Sequence, residues 1–190
     1  MAAKRELPPA LEFHPATGER WADLLALFGE RGACGGCWCM WWRLPRAQWV
    51  EQRGDGNKRA LERLARSGEA PGILAYADGK PIAWCSVSPR EAFSALDRSR
   101  TLKRVDDQPA WSIVCFFVAR PYRRQGLTVA LLRAAVDYVR AQGGRVVEGY
   151  PTQPSPGGSG YMGVTPAFLE AGFVEVARTS AARSIMRYYI

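Results

Sequence analysis

The stretch from Trp111 to Gln142 most constrains what this chain can fold into. An unbroken apolar run, Trp111-Ser112-Ile113-Val114-Cys115-Phe116-Phe117-Val118-Ala119, passes into the basic turn Arg120-Pro121-Tyr122-Arg123-Arg124-Gln125-Gly126-Leu127-Thr128, and a helical pattern follows directly. A strand that is apolar at nearly every position, rather than at alternate ones, is buried on both faces. The helix predicted over 128–142 turns Leu131, Leu132, Ala135, Val136 and Val139 to the sheet and stops at Gly143-Gly144. Another strand, 145–150, comes next. A strand–helix–strand unit of this length implies a parallel pair joined by a right-handed crossover, hence an α/β fold.

Strand, basic glycine turn and helix also make a phosphate cradle. Such a turn aims several backbone N–H groups at one spot, and the helix N-terminus adds its positive dipole end. The arginines add bidentate donors. A polyphosphate-bearing ligand is the expectation. The usual nucleotide motifs are absent: there is no Gly-Lys-Ser/Thr and no G-x-G-x-x-G after a strand.

Around this unit the pattern is readable in pieces. Residues 1–15 read as a poorly ordered lead or an edge strand around Leu11-Glu12-Phe13. Trp21, Leu24, Leu25 and Phe28 fall at helical spacing in a helix over 17–28. A second helical region, 46–66, is broken at Gly54-Asp55-Gly56. Residues 72–88 form a hairpin around Asp78-Gly79, a strong turn signal between alternating strands. A short helix is expected over 91–96, a Pro/Gly/Ser loop over 151–163, a short helix over 166–171, and closing strands over 173–177 and 184–189.

Arg123-x-x-Gly126-x-Thr128, between a buried strand and a helix, resembles the Q/R-x-x-G-x-G/A signature of the GNAT superfamily of acyl-CoA-dependent N-acyltransferases. Thr128 stands where Gly or Ala is usual and can cap the helix with its hydroxyl. The 72–88 hairpin and Ala167-Phe168-Leu169-Glu170-Ala171-Gly172-Phe173 resemble family segments too, in the family's order. The similarity covers roughly 70–187. It implies one domain over 1–190: acceptor-side helices over 17–68, and a sheet and acyl-CoA core over 72–187. It also implies a mixed twisted sheet, helices on both faces, and two central parallel strands that splay apart around the thioester. By the same resemblance Phe116, Phe117 and Val118 offer backbone groups to the pantetheine. Arg124, Gln125, Gly126, Leu127, Thr128 and Val129 line the pyrophosphate loop, and Arg123 opens the motif.

The implied reaction is attack of a neutral amine on the thioester of acetyl-CoA. It needs an oxyanion donor, a base and a proton for the departing thiolate. The resemblance puts the oxyanion donor at a backbone N–H near Val118. Glu148, the acidic residue inside Val146-Val147-Glu148-Gly149-Tyr150, is the candidate base. The alternative is that Glu148 faces solvent or pairs with an arginine, because a carboxylate in a strand is costly unless paired or used. Many family members place a proton-donating tyrosine where this chain has Phe168, so the role falls to Tyr161, with Tyr150 as another candidate.

Cys34-Gly35-Gly36-Cys37-Trp38-Cys39-Met40-Trp41-Trp42-Arg43 lies where the family builds its acceptor pocket, and some bacterial members are similar here. Trp38, Trp41 and Trp42 are candidates for an apolar or cation-binding wall, the alternative being lid and core packing. Cys34, Cys37 and Cys39 suggest zinc, but a structural site wants a fourth ligand, and His14 is the only histidine. No metal is therefore expected. The alternatives to an enzyme are an acyl-CoA-sensing module without turnover and a zinc or thiol interaction module.

The 190 residues suit one domain with a sizeable core. Hydrophobic content of 47% and charged content of 23% are ordinary. Apolar runs are too short for a bilayer, and residues 1–9 lack the apolar centre of a signal peptide. A cytoplasmic protein with reduced thiols is the expectation. The net charge of +8 fits attraction of anionic CoA, or simply a basic surface. No nucleic-acid-binding pattern accompanies it. Acetyl-CoA and an amine are the expected partners, and a homodimer is left open.

Overall fold

The computed structural model describes residues 10–155 and 160–190. Its frame is a seven-stranded mixed sheet in the order β1-β2-β3-β4-β5-β7-β6. The strands are β1 (Leu11–Pro15), β2 (Ile73–Ala77), β3 (Lys80–Pro89), β4 (Trp111–Val118), β5 (Val146–Gly149), β6 (Val174–Ser180) and β7 (Arg183–Tyr189). The edge strand expected around Leu11 is β1. The expectation of a disordered lead falls largely outside the described residues.

Helices cover both faces. On one lies α5 (Leu127–Ala141), whose Leu131, Leu132, Ala135, Val136 and Val139 pack on β2–β4. It ends as the glycine pair demands: Gly143, at φ +77°, donates to Arg140 O at 3.0 Å, and Gly144 donates to Val139 O at 2.9 Å. α6 (Thr165–Glu170) packs beside it through Phe168. On the other face lie α1 (Trp21–Phe28) and α3 (Asp55–Arg66), with Leu24, Phe28 and Leu61 against Leu74, Tyr76 and Trp84. A third cluster, around Phe93, Val114, Tyr150 and Met162, fills the far end near α4 (Ser94–Arg98).

The second helical region divides differently from the expectation. α2 (Arg46–Glu51) ends before Gly54, and α3 starts at Asp55, so Gly56 lies inside a helix. Gly54 turns the chain at φ +86°, which a glycine adopts freely.

β4 and β5 pair in parallel only over Trp111↔Val147, Ser112↔Glu148 and Ile113↔Gly149. β4 then runs on to Val118 while β5 stops. The β3–β4 register shifts so that Ser86 faces Cys115 and Val87 faces Ile113, leaving Val114 as the extra, bulged residue. A bulge bends its strand and increases the local twist. Bulge and strand end together open the seam between the central strands.

Candidate active site

Successive backbone groups of a strand alternate sides. Ala119 N–H points to β3, donating to Ile82 O at 2.9 Å, so the backbone groups of Phe116 and Val118 point away from β3 into the seam. There Phe116 N–H donates to the carbonyl of Tyr161 at 2.6 Å. The Val118 carbonyl accepts from Arg123 Nε at 2.9 Å.

The turn beyond β4 is tight and basic. Arg124 and Gly126 take left-handed conformations, φ +62° and +84°. Gln125 Nε2 holds the turn through Pro121 O at 2.9 Å. Gly126 O accepts from Val129 N–H at 3.0 Å and Ala130 N–H at 3.3 Å, which starts α5. The N–H groups of the first helical residues have no carbonyl before them to pair with and point out of the end. No side chain caps this helix: Thr128 lies within its first turn, so the expected hydroxyl cap is not formed. Arg123 and Arg124 form no ion pair among the described residues.

A cleft of about 790 Å³ runs from this turn along β4 to the Cys/Trp segment. Of the residues expected around the cofactor, Phe116, Phe117, Val118, Arg123, Arg124, Gly126, Leu127 and Thr128 line it. Gln125 and Val129 are buried and do not. The opposite wall comes from Ala33, Cys34, Gly35, Cys37, Cys39, Trp41, Trp49 and Arg53, and Tyr161 also borders the cleft. Cradle and Cys/Trp segment, distant in sequence, therefore share one space.

The three tryptophans expected as a wall separate. Trp38 is core, with ring centres 6.2 Å from Trp21 and 5.7 Å from Phe28. Trp42 packs toward the Phe93–Tyr150 cluster. Only Trp41 lines the cleft, edge-to-face with Trp49 at 4.9 Å. Left-handed backbone at Ala33, Gly35, Gly36, Trp38 and Cys39 sets these directions, and such a loop has no period to read. The loop is fastened to the α2–α3 junction: Gly54 N–H donates to Gly36 O at 3.0 Å, and Asn57 Nδ2 donates to it at 3.2 Å.

Cys34, Cys37, Cys39 and Cys115 all border the cleft. Cys39 and Cys115 stand with sulfurs 3.5 Å apart. That thiol–thiol contact and burial push Cys39 well above the usual range, and burial followed by its neighbour Cys39 pushes Cys37 up. These two thiols are neutral at ordinary pH. No group of three or more His, Cys, Asp or Glu is placed to hold a metal among the described residues.

Glu148 sits otherwise than a base should. It is fully buried and does not line the cleft. Its Oε1 accepts from Arg90 Nη1 at 2.9 Å and from the Tyr150 hydroxyl at 2.7 Å, and its Oε2 accepts from Arg187 Nε at 2.8 Å. Arg187 also grips Asp106 through both amino groups, at 2.7 and 2.9 Å. Tyr150 is completed by Ser112 Oγ at 2.7 Å. Both oxygens of the carboxylate are thus committed to a structural ion network. The cost of a charge inside a strand pointed to Glu148, but its partners lie on β7 and beyond β3, where no local pattern reaches.

Tyr161 is exposed along the cleft, yet desolvation raises its pKa, with Arg183 opposing. Phe168 is fully buried between Gly149 and Gly163, where a Cβ would come within 2.2 and 2.6 Å of its ring. It fills the lower seam and has no hydroxyl to give. Sequence reasoning passed over Trp49, Arg53, Cys115 and Tyr122 as lining residues, because nothing local joins Gly36 to Gly54 or Cys39 to β4.

The architecture is an α/β sheet parted at its central parallel strands, with a basic glycine turn beside the opening. The model of the acetyltransferase (GNAT) family matches residues 38–154, and the chain belongs to that family of acetyltransferases. Solved structures agree in fold. A PaiA N-acetyltransferase from Thermoplasma acidophilum in complex with coenzyme A has a TM-score of 0.54 at 13% identity, over 95% of this chain and 99% of that one. A GNAT acetyltransferase from Listeria monocytogenes gives 0.58 at 9% identity, over 95% of each chain. An agmatine N-acetyltransferase in apo form gives 0.57 at 10% identity, over 95% and 99%. No curated protein matches the chain in sequence. No helix among the described residues is long and apolar enough to cross a membrane.

Proposed function

We propose that the chain moves the acetyl group of acetyl-CoA to the primary amine of a small molecule, by direct attack of the amine on the thioester. One observation carries this reading: a single cleft joins the open end of α5, flanked by Arg123 and Arg124, to the exposed seam edge of β4. Two structural neighbours, an N-acetyltransferase complexed with coenzyme A and an agmatine N-acetyltransferase, support it.

The nitrogen bonds to the acetyl carbon, the carbon–sulfur bond breaks, and the sulfur takes a proton. The N–H groups at the start of α5 and the two arginines hold the pyrophosphate. The β4 edge from Phe116 to Val118 receives the pantetheine. The Val118 N–H, aimed into the seam, stabilises the oxygen that gains charge. Tyr161 protonates the sulfur; its raised pKa keeps the proton on until then. No carboxylate lines the cleft among the described residues, so the acceptor gives up its proton to water. With acetyl-CoA as co-substrate, the site of action is the cytoplasm.

Calorimetric titration with acetyl-CoA, CoA and ATP tests the cradle. Acetyl-CoA and CoA are expected to bind more tightly than ATP. Gly126→Asp puts a carboxylate at the helix end, where the field favours anions, and is expected to weaken acetyl-CoA at least about tenfold. Unchanged affinity in this variant would remove the site assignment.

A further inference from the structure

Every charged side chain that lines the cleft is an arginine: Arg53, Arg123 and Arg124. No Asp, Glu or His lines it among the described residues. Arg123 and Arg124 belong to the cradle. Arg53 stands at the other end, with Trp41, Trp49 and the cysteines. Its Nε donates to Gly35 O at 2.6 Å, which fixes the guanidinium, and its two amino groups enter no ion pair among the described residues.

The tryptophans at this end already stack with cations of the chain itself. The Arg46 guanidinium lies 4.3 Å from the Trp41 ring centre and 5.1 Å from that of Trp49, and Arg53 lies 5.8 Å from Trp49. The chain's own guanidiniums already use those π faces. An ammonium would find no counter-charge among the described lining residues, and Arg53 would repel it. A carboxylate, by contrast, would meet a guanidinium with two amino groups to spare, the pairing this group makes best. The surrounding wall is apolar, built of indole rings and neutral thiols.

We infer that the acceptor is an amine carrying its own carboxylate on an apolar body, an apolar amino acid, with the carboxylate on Arg53 and the body against Trp41 and Trp49; di- and polyamines are excluded. The inference rests on the acetyl-transfer reading and narrows its acceptor.

The test uses the full chain, acetyl-CoA and matched pairs of amines: tryptophan with tryptamine, leucine with 3-methylbutylamine, and putrescine and spermidine alone. Thiol release is measured at saturating acetyl-CoA. The carboxylate-bearing member of each pair is expected to show a kcat/KM at least about tenfold above its partner. Arg53→Ala is expected to raise KM for that member alone and bring the pair level, while Arg53→Lys keeps part of the preference. Preference for the decarboxylated amines or polyamines overturns the inference, as does an equal effect of Arg53→Ala on both members. Should the Ala variant misfold, the wild-type ratios and the Lys variant still decide. Failure of acetyl-CoA to bind in calorimetry would strike the acetyl-transfer reading itself. Binding of acetyl-CoA with no amino acid acetylated would overturn this inference alone.

Discussion

At the scale of single residues, Glu148 carries the most separable prediction. It neutralises Arg90 and Arg187 in the interior, and Arg90 Nε already lacks a partner among the described residues. Removing one partner of a buried ionic group strands the others without compensation. Glu148→Gln is therefore expected to cost about 3 kcal/mol or more of folding stability. In a chain of this size that lowers Tm by roughly 6–12 °C. Thermal unfolding checks it; an unchanged Tm with a lost kcat would return the residue to a catalytic role. A charge in an apolar strand was legible as a residue in need of a reason. The reason lay in arginines about 40 and 60 positions away, beyond any local pattern.

At the scale of elements, what was legible was what is local. The β4–turn–α5 unit, the Asp78-Gly79 hairpin and the Gly143-Gly144 stop each follow from neighbouring residues, and each formed within a residue or two of its expected bounds. Likewise, the family-like segments imply a parted central pair, as β4 and β5 are. The Cys/Trp loop was not legible, because its shape is set by left-handed residues and by a partner on the α2–α3 junction. Gly36 shows the constraint. At φ +74°, a Cβ there would lie 2.7 Å from the backbone nitrogen of Gly54. Gly36→Ala is expected to cost about 1–2 kcal/mol and push the loop off its anchor. The acceptor KM should rise several-fold while acetyl-CoA affinity holds, since the cradle lies on the other side of the cleft. Equal losses in both would mean that the loop and the cradle are not independent parts.

At the scale of the whole molecule, one polar bond between a helix layer and the sheet reports on pH. The Tyr76 hydroxyl on β2 donates to Asp23 on α1 at 2.7 Å. Burial, then this carboxylate, raises its pKa from 10.0 to about 12. Between those values the folded chain holds the proton more tightly than the unfolded chain does, so stability falls as pH rises across the window and is intact below it. Denaturant unfolding from pH 9 to 12 is expected to show this loss, and Tyr76→Phe should flatten the slope. A slope unchanged in the variant would assign the alkaline loss to other groups. The bond from Phe116 N–H to the Tyr161 carbonyl bears on the molecule's use as a whole. Any visitor that pairs along the β4 edge must outcompete a rival carried on the same chain, which competes intramolecularly. The affinity measured for acetyl-CoA is then a net of two exchanges, and replacing the Tyr161 side chain leaves the rival in place, because the competing oxygen belongs to the backbone.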